Sequence, residues 1–274
     1  MKINKLTIEQ ELEVIKLKNN KVPVKKIMDK FNIKSNKTVY DIVKRNGRSH
    51  QISNKKYDVN SNYFEDINTE EKSYWLGFLY ADGYVRLRRS GELKLKLKQT
   101  DREHIELFRV CIESTHPIKN DISNVKYGNN KISKSKLSYI SINNTKMVKD
   151  LIKFGCVNNK SFIIKLPKLK NDLIRHFIRG YFDGDGCIYI SKNNNNCTFN
   201  ITSGSKNIID DINDVFKNIQ IIKCYIKITK NTYRLNIYDK IELLKLYNYL
   251  YDNSTIYLKR KFNKFKSYIN FKTL

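Results

Sequence analysis

Cysteine and histidine are scarce in this 274-residue chain, with five of the first and four of the second. The five thiols, Cys111, Cys156, Cys187, Cys197 and Cys224, are odd in number and form no C-x-x-C pair. That pattern speaks against a disulfide framework or a zinc site and leaves buried free thiols as the expectation. The histidines show no metal-ligand spacing, and His176, in a helical apolar setting, reads as a packed or surface residue rather than a catalyst. No apolar run approaches the length that crosses a bilayer, and the opening MKINKLTIEQ lacks the apolar stretch of a signal peptide. An intracellular, soluble protein is the expectation.

Acidic side chains are also in short supply. Asp and Glu number 27 against 53 Lys and Arg, a net charge of +26. Heavy use of Lys, Asn and Ile together reflects coding bias in part, but bias does not place charge on one face of a strand. A surplus this large favours a polyanionic partner, nucleic acid before an anionic membrane. The length is sufficient for more than one domain with a core.

Two segments of the chain can be laid on each other. In Trp75–Gly83 (WLGFLYADG) and Ile178–Gly186 (IRGYFDGDG), Gly77 falls on Gly180, Ala81 on Gly184, Asp82 on Asp185 and Gly83 on Gly186. Gly77 with Ala81, and Gly180 with Gly184, share one helix face, where two helical backbones can approach closely. Each helix then meets a glycine, the usual stop. An Asp just before that stop opposes the helix dipole, so a positive group is expected beside it. Helices packed side by side bring Asp82 and Asp185 together, as a divalent-metal site requires.

Residues 1–48 read as three short helices. Thr7 and Gln10 form a capping box, with Leu12, Ile15 and Leu17 apolar along the first helix; Pro23 suits the first turn of the second, which carries Ile27 and Phe31. Asn32 suits a positive φ, Ile33 plugs the turn, and Ser35 caps a third helix over Asn36–Arg45. This spacing resembles a helix-turn-helix module of the recombinase and transposase kind, with Met28 where that module usually has a small residue. Lys34, Lys37, Lys44 and Arg45 lie on or beside the third helix and mark it for DNA. Residues 49–62 are polar and basic and read as a linker.

From Tyr63 the chain repeats itself, the two aspartates lying about 100 residues apart, one small domain per copy. Strands are expected at Tyr84–Arg89 and Leu93–Lys98, followed by a helix to Ile112 opened by a Thr100/Glu103 capping box. A strand at Lys136–Asn143, a helix at Thr145–Phe154 and a basic segment at Asn158–Lys165 complete the first copy. The second copy has strands at Ile188–Lys192 and Cys197–Thr202 and a helix at Ser205–Ile219. Strands at Tyr225–Thr229 and Tyr233–Tyr238 follow, then a helix at Lys240–Tyr251 and the basic segment Tyr257–Lys264. Leu93, Leu95 and Leu97 alternate with Lys94, Lys96 and Lys98, and Val85 and Leu87 with Arg86 and Arg88. One sheet face is therefore apolar and the other strongly cationic, with almost no interleaved acid. In the second copy the exposed face carries Thr198, Asn200, Thr202, Lys227, Arg234 and Asn236. A phosphate partner explains such a face better than water does, and a β-ribbon of this size fits the major groove.

The paired nonamers, each leading a hairpin, resemble the motifs of LAGLIDADG homing endonucleases in their single-chain, two-motif form, over about residues 63–270. The resemblance implies an α+β fold of two pseudo-symmetric αββαββα half-domains, 63–170 and 171–274, whose sheets form a saddle on DNA. It implies a site-specific, double-strand endonuclease acting as a monomer on a long pseudo-palindromic target. Asp82 and Asp185 would bind Mg²⁺, with Mn²⁺ as a substitute, helped by the carbonyls of Gly83 and Gly186. Asp183, matched by Tyr80 in the first copy, is demoted to a supporting role. The family's basic residue near each metal falls on Lys160 and on Lys261, with Lys259 as runner-up; a plain phosphate contact is the alternative for each. Gln99 resembles a polar residue that holds water near the scissile phosphate, and Ser203 occupies its place in the other half.

Three alternatives remain on the sequence. One is a catalytically silent regulator and another an RNA-splicing maturase on the same fold; regulators that resemble this fold tend to lose the motif acids, so retention of both favours an enzyme over the first. A D…E-x-K core of Asp82 with Glu92-Leu93-Lys94 leaves Asp185 and the second copy unexplained.

Overall fold

The computed structural model describes residues 6–45, 56–88, 90–127, 131–158, 163–193 and 195–273. The chain divides into two compact units, Met1–Lys56 and Tyr57–Leu274.

The first unit holds helices α1 (Ile8–Asn19), α2 (Val24–Phe31) and α3 (Asn36–Arg45). The Thr7/Gln10 capping box forms in both directions, each side chain accepting the other residue's N–H. Pro23 stands one residue earlier than expected, as the N-cap of α2. Asn32, at φ 50°, ends that helix in the left-handed region, and Ser35 Oγ accepts the Lys37 N–H at 3.2 Å. Val14, Ile15, Ile27, Ile33, Val39 and Ile42 form the core, while Leu12 is half exposed because the turn of α1 aims Val14 inward instead. Lys34, Lys37 and Lys44 are exposed, and Lys18 lies over the exposed Tyr40 ring. The Arg45 side chain falls outside the described residues.

The second unit repeats one order of elements. Its first half runs α4 (Glu70–Asp82), β1 (Gly83–Leu87), β2 (Gly91–Lys98), α5 (Arg102–Cys111), β3 (Lys119–Tyr127), β4 (Lys131–Asn143) and α6 (Thr145–Lys153). Its second runs α7 (Asn171–Asp185), β5 (Gly186–Ile190), β6 (Cys197–Ser203), α8 (Lys206–Asn218), β7 (Tyr225–Thr229), β8 (Thr232–Ile237) and α9 (Lys240–Tyr251). A further helix, α10 (Lys259–Thr273), follows. Both sheets are antiparallel and share one topology, β1-β2-β4-β3 and β5-β6-β8-β7. The αββαββα fold expected from the paired motifs is present twice.

Four local readings change in the structure. The edge strand β3 is absent from the sequence reading because its residues (KNDISNVKY) do not alternate; pairing to β4 supplies its order. The Thr100/Glu103 capping box does not form, because Gln99–Asp101 first makes a 3₁₀ turn that shifts the helix start to Arg102. The basic segment Tyr257–Lys264, given no secondary structure from the sequence, is helical from Lys259, where it opens α10. Asp58 and Asn60, read as linker, hydrogen-bond through their backbone N–H groups to Thr115 Oγ1 at 2.7 Å and Ile112 O at 3.0 Å.

Helices α4 and α7 cross with their main chains in contact. A Cβ built on Gly77 would stand 2.0 Å from Phe177 O, and one built on Gly180 would stand 2.0 Å from Tyr74 O. The two clashes are mirror images across the pseudo-two-fold relation. Gly83 and Gly186 end the two helices as expected, with extended backbones at φ −77° and −94° rather than in the left-handed region. Their reason is space, since a Cβ would lie 2.6 Å from Leu79 O or from Phe182 O as the chain doubles straight into β1 or β5.

Gly180→Ala is expected to lower unfolding stability by about 3 kcal/mol or to prevent folding, because backbone atoms have no rotamer by which to yield. Chemical denaturation measures this; a loss under about 0.5 kcal/mol would show that the crossing is looser than described.

Candidate metal centre and nucleic-acid interface

The crossing delivers the ends of α4 and α7 to one place. A Cβ on Gly184 would meet Ala81 Cβ at 2.1 Å and Asp82 N at 3.5 Å, so the acid-bearing turns touch. Asp82 and Asp185 occupy the last position of their helices and are exposed. Beside Asp185 opens a cavity of about 260 Å³ whose lining includes Tyr181, Thr202, Ser203 and Gly204. Ser203 is buried and accepts the Ser205 N–H, whereas Gln99 is exposed on the 3₁₀ turn after β2.

Oxygen donors suit a hard divalent cation such as Mg²⁺. Among the described residues no three His, Cys, Asp or Glu side chains converge on a metal position. A cation held by Asp82 and Asp185 therefore needs carbonyls, water or phosphate oxygens for its remaining ligands, which is how Mg²⁺ is commonly bound. The donor set fits the ion.

The positive group demanded by two acids at helix C-termini is Lys261. Its side chain is buried, and Nζ donates to the carbonyls of Phe182 at 2.8 Å, Gly184 at 3.2 Å and Gly186 at 2.5 Å. All three ammonium donors are thus spent on the last turn of α7 and the first residue of β5. Burial pushes this lysine down to about 8, with Asp183 and Asp82 drawing it up and Arg260 pressing it down. It remains charged at neutral pH. Its neighbours bind the first half instead: Lys259 Nζ reaches Glu103 at 2.9 Å, and Arg260 Nε reaches the buried Asp101 carboxylate at 2.9 Å. Lys160 lies outside the described residues.

Asp183 and Tyr80, which align in the two motifs, do equivalent work. The Tyr80 hydroxyl donates to Phe154 O, just past α6; Asp183 Oδ2 accepts the Leu258 N–H at 2.7 Å, at the end of the segment that joins α9 to α10. Each ties the segment after the third helix to its motif helix. Asp183 also accepts the Tyr74 hydroxyl at 2.8 Å, and Tyr74 lies 2.8 Å from His104 Nε2. With the Tyr74 proton committed to Asp183, His104 donates and is neutral. Burial raises Asp183 to about 6, with Lys261 and two hydrogen bonds opposing; burial and then Arg260 lower His104 to about 3. Arg179, wholly buried, spans Glu70 at 2.6 Å, Leu250 O at 2.6 Å and Ile256 O at 2.8 Å. The sequence reading missed Arg179; its signal was a guanidinium on a helix face otherwise apolar. His176 is buried near Glu70 and lowered to about 4, chiefly by burial.

Each sheet has one face packed under helices and one open. Leu93, Leu95 and Leu97 are buried, and Arg86, Lys94, Lys96 and Lys98 stand on the open side, with Arg88 exposed just beyond β1. The face is not as free of acid as its strands suggested. Glu92 is paired across from Arg86, and Lys96 binds Asp121 of β3 at 2.6 Å. On the second sheet Thr198, Asn200, Thr202, Lys227 and Arg234 share the open face. Asn236 is placed there too but is buried, its amide donating to Tyr225 O and Arg234 O. The five thiols are all free, but Cys187 is exposed rather than buried, because the alternation of β5 turns it to the open face. Among the described residues no helix is long and apolar enough to cross a membrane.

Residues 172–251 match the family described as LAGLIDADG-like domain. No protein of curated function matches the sequence. Among solved structures, the homing endonuclease I-WcaI bound to its DNA recognition sequence is 16% identical, with 73% of this chain and 90% of that chain covered at a TM-score of 0.50. A mutant of I-SmaMI is 12% identical, with 73% and 92% covered at a TM-score of 0.50. Full-length DUF199/WhiA from Thermatoga maritima is 14% identical, with 78% and 66% covered at a TM-score of 0.47. At such identities the likeness is one of fold.

The buried His104 has a consequence for acid stability. Its folded value, about 3, lies below the ordinary 6.5, so between those limits the unfolded chain binds a proton that the native state refuses. Stability from this group is complete above pH 6.5 and is lost as pH falls, by up to about 1.4 kcal/mol per pH unit. Asp183, raised to about 6, acts in the opposite sense from its ordinary 3.8 upward, in wild type and variant alike. Denaturation of His104→Gln from pH 7 to 4 should therefore show a shallower decline than wild type; parallel curves would contradict the assignment.

Proposed function

We propose, from the premise that residues 172–251 match the LAGLIDADG-like domain family and that the chain shares a two-motif fold with such proteins, that it is a site-specific endonuclease cutting both strands of duplex DNA. The observation that carries this reading is the pair Asp82 and Asp185, one at the end of each of two helices that cross main chain to main chain. A single packing contact thus ties the two acids to two related sheets, one per half of a duplex target. That arrangement suits a long, roughly pseudo-palindromic site bound by one chain.

In this reading Asp82, Asp185 and the carbonyls of Gly83 and Gly186 hold Mg²⁺, or Mn²⁺ in its place. Such ions, when bound, make a water nucleophilic at neutral pH and neutralise charge on the leaving oxygen. Lys261 is a positioning residue, its ammonium fixing the turn that presents Asp185. Gln99 and the Ser203 cavity stand where water beside a scissile phosphate is held, differently in the two halves. Lys160 takes the role of cation in the first half. Arg88, Lys94, Lys96 and Lys98 engage the duplex, and α3 of the first unit, with Lys37, Lys44 and Arg45, adds a further DNA contact.

One observation favours a second reading, a duplex-binding protein that does not cut. The Gly186 carbonyl, needed as a metal ligand, already accepts a hydrogen bond from Lys261.

Selection of bound duplexes with the Asp82→Asn/Asp185→Asn double variant supplies a target on which the two readings part. Wild type with Mg²⁺ is expected to cut both strands of it. Each single Asn variant should cut at least about 10³-fold more slowly while binding within a few-fold of wild type. Tight binding with an intact duplex, in Mg²⁺ and in Mn²⁺, would establish the second reading instead.

A further inference from the structure

The two open faces differ position by position, and we infer that the β5–β6 hairpin reads A·T base pairs where the β1–β2 hairpin reads G. This rests on the duplex-binding reading above and not on cleavage. The registers make the comparison direct. Gly83 pairs with Leu95 in the first hairpin, and Gly186 with Ile201 in the second. Counting outward from these pairs, Tyr189 stands where Arg86 stands, Asn200 where Lys94 stands, and Thr202 where Lys96 stands. Three cations of one hairpin are replaced in the other by a phenol, an amide and a hydroxyl.

Those replacements change what a major groove offers each hairpin. Guanidinium and ammonium groups pair with guanine O6 and N7, the most common specific contact. A carboxamide pairs instead with adenine N6 and N7, and the methyl of threonine or the edge of an aromatic ring packs on the thymine methyl. Tyr189 is 58% exposed, and Asn200 and Thr202 are half-buried on the same face, so all three can meet a base edge. On the first hairpin Arg86 is steadied by the Tyr84 hydroxyl at 3.2 Å and Lys94 lies 4.4 Å over the Tyr139 ring, so these cations are held rather than loose. The cations of the second sheet sit on the pair of strands beyond that hairpin: Lys227 of β7 opposite Arg234 of β8, the latter with Nε on Thr202 Oγ1 at 3.1 Å. The A·T assignment therefore belongs to the β5–β6 hairpin and not to the whole sheet.

Binding selection from a randomised duplex library tests this, using the full chain with both Asp82 and Asp185 changed to Asn. The expected site has one arm with A or T at the hairpin positions where the other arm has G or C. Asn200→Ala should weaken the adenine preference roughly five- to hundredfold at one position of the A·T arm, leaving the other arm unchanged. Arg86→Ala should relax the opposite arm alone. Both side chains reach the surface, and circular dichroism verifies that each variant folds. Arms of equal base composition overturn the inference, as does an Asn200→Ala variant that loses affinity evenly across all sequences. A selection without enrichment overturns the duplex-binding reading and this inference together. Absence of cleavage touches neither result.

Discussion

Everything in the larger unit depends on one contact, the meeting of the α4 and α7 main chains at Gly77 and Gly180. With a side chain at either glycine the backbones cannot close, as the 2.0 Å approaches to Phe177 O and Tyr74 O make plain. Their closure sets the distance between the two halves, and each motif helix runs without a loop into the first strand of its own sheet. The same contact also creates an electrostatic problem, because it brings together two negative helix ends, each carrying an aspartate. Such a junction is stable only with a cation close by.

Lys261 supplies that cation from a remote part of the chain, and its neighbours make the supply secure. Lys259 and Arg260 hold Glu103 and Asp101 of the first half while Lys261 holds the end of α7 in the second. Three consecutive basic residues thus clamp both halves at the point where the acids are displayed. Asp183 and Tyr80 anchor the chain just before this clamp and at its counterpart after α6. Exposed ion pairs such as Lys259–Glu103 contribute little alone, but the buried carbonyl contacts of Lys261 cannot be given up cheaply.

Much of this was legible in the residues because it is local or repeated. The capping box at Thr7, the left-handed Asn32, the alternating leucines and lysines of β2 and the paired nonamers are each written within a few neighbouring positions. What stayed hidden depends on distant partners. Nothing near Lys261 reveals that its ammonium ends on carbonyls of residues 182–186, and nothing near Arg179 reveals Leu250 and Ile256. The edge strand β3 takes its order from β4, and Gly83 and Gly186 are glycines for want of space rather than for their φ angles. Asp121, remote in sequence from Lys96, neutralises part of a face that β2 had presented as strongly cationic.

Under the proposed function two acids, one from each half, act together on one duplex. Incubating the full chain with Mg²⁺ and a randomised duplex library, then sequencing every newly formed end, tests it most directly. Paired ends from both strands, separated by a fixed stagger within one long shared sequence, are the expected result. Duplexes that are bound but intact, or nicks confined to one strand, would contradict it.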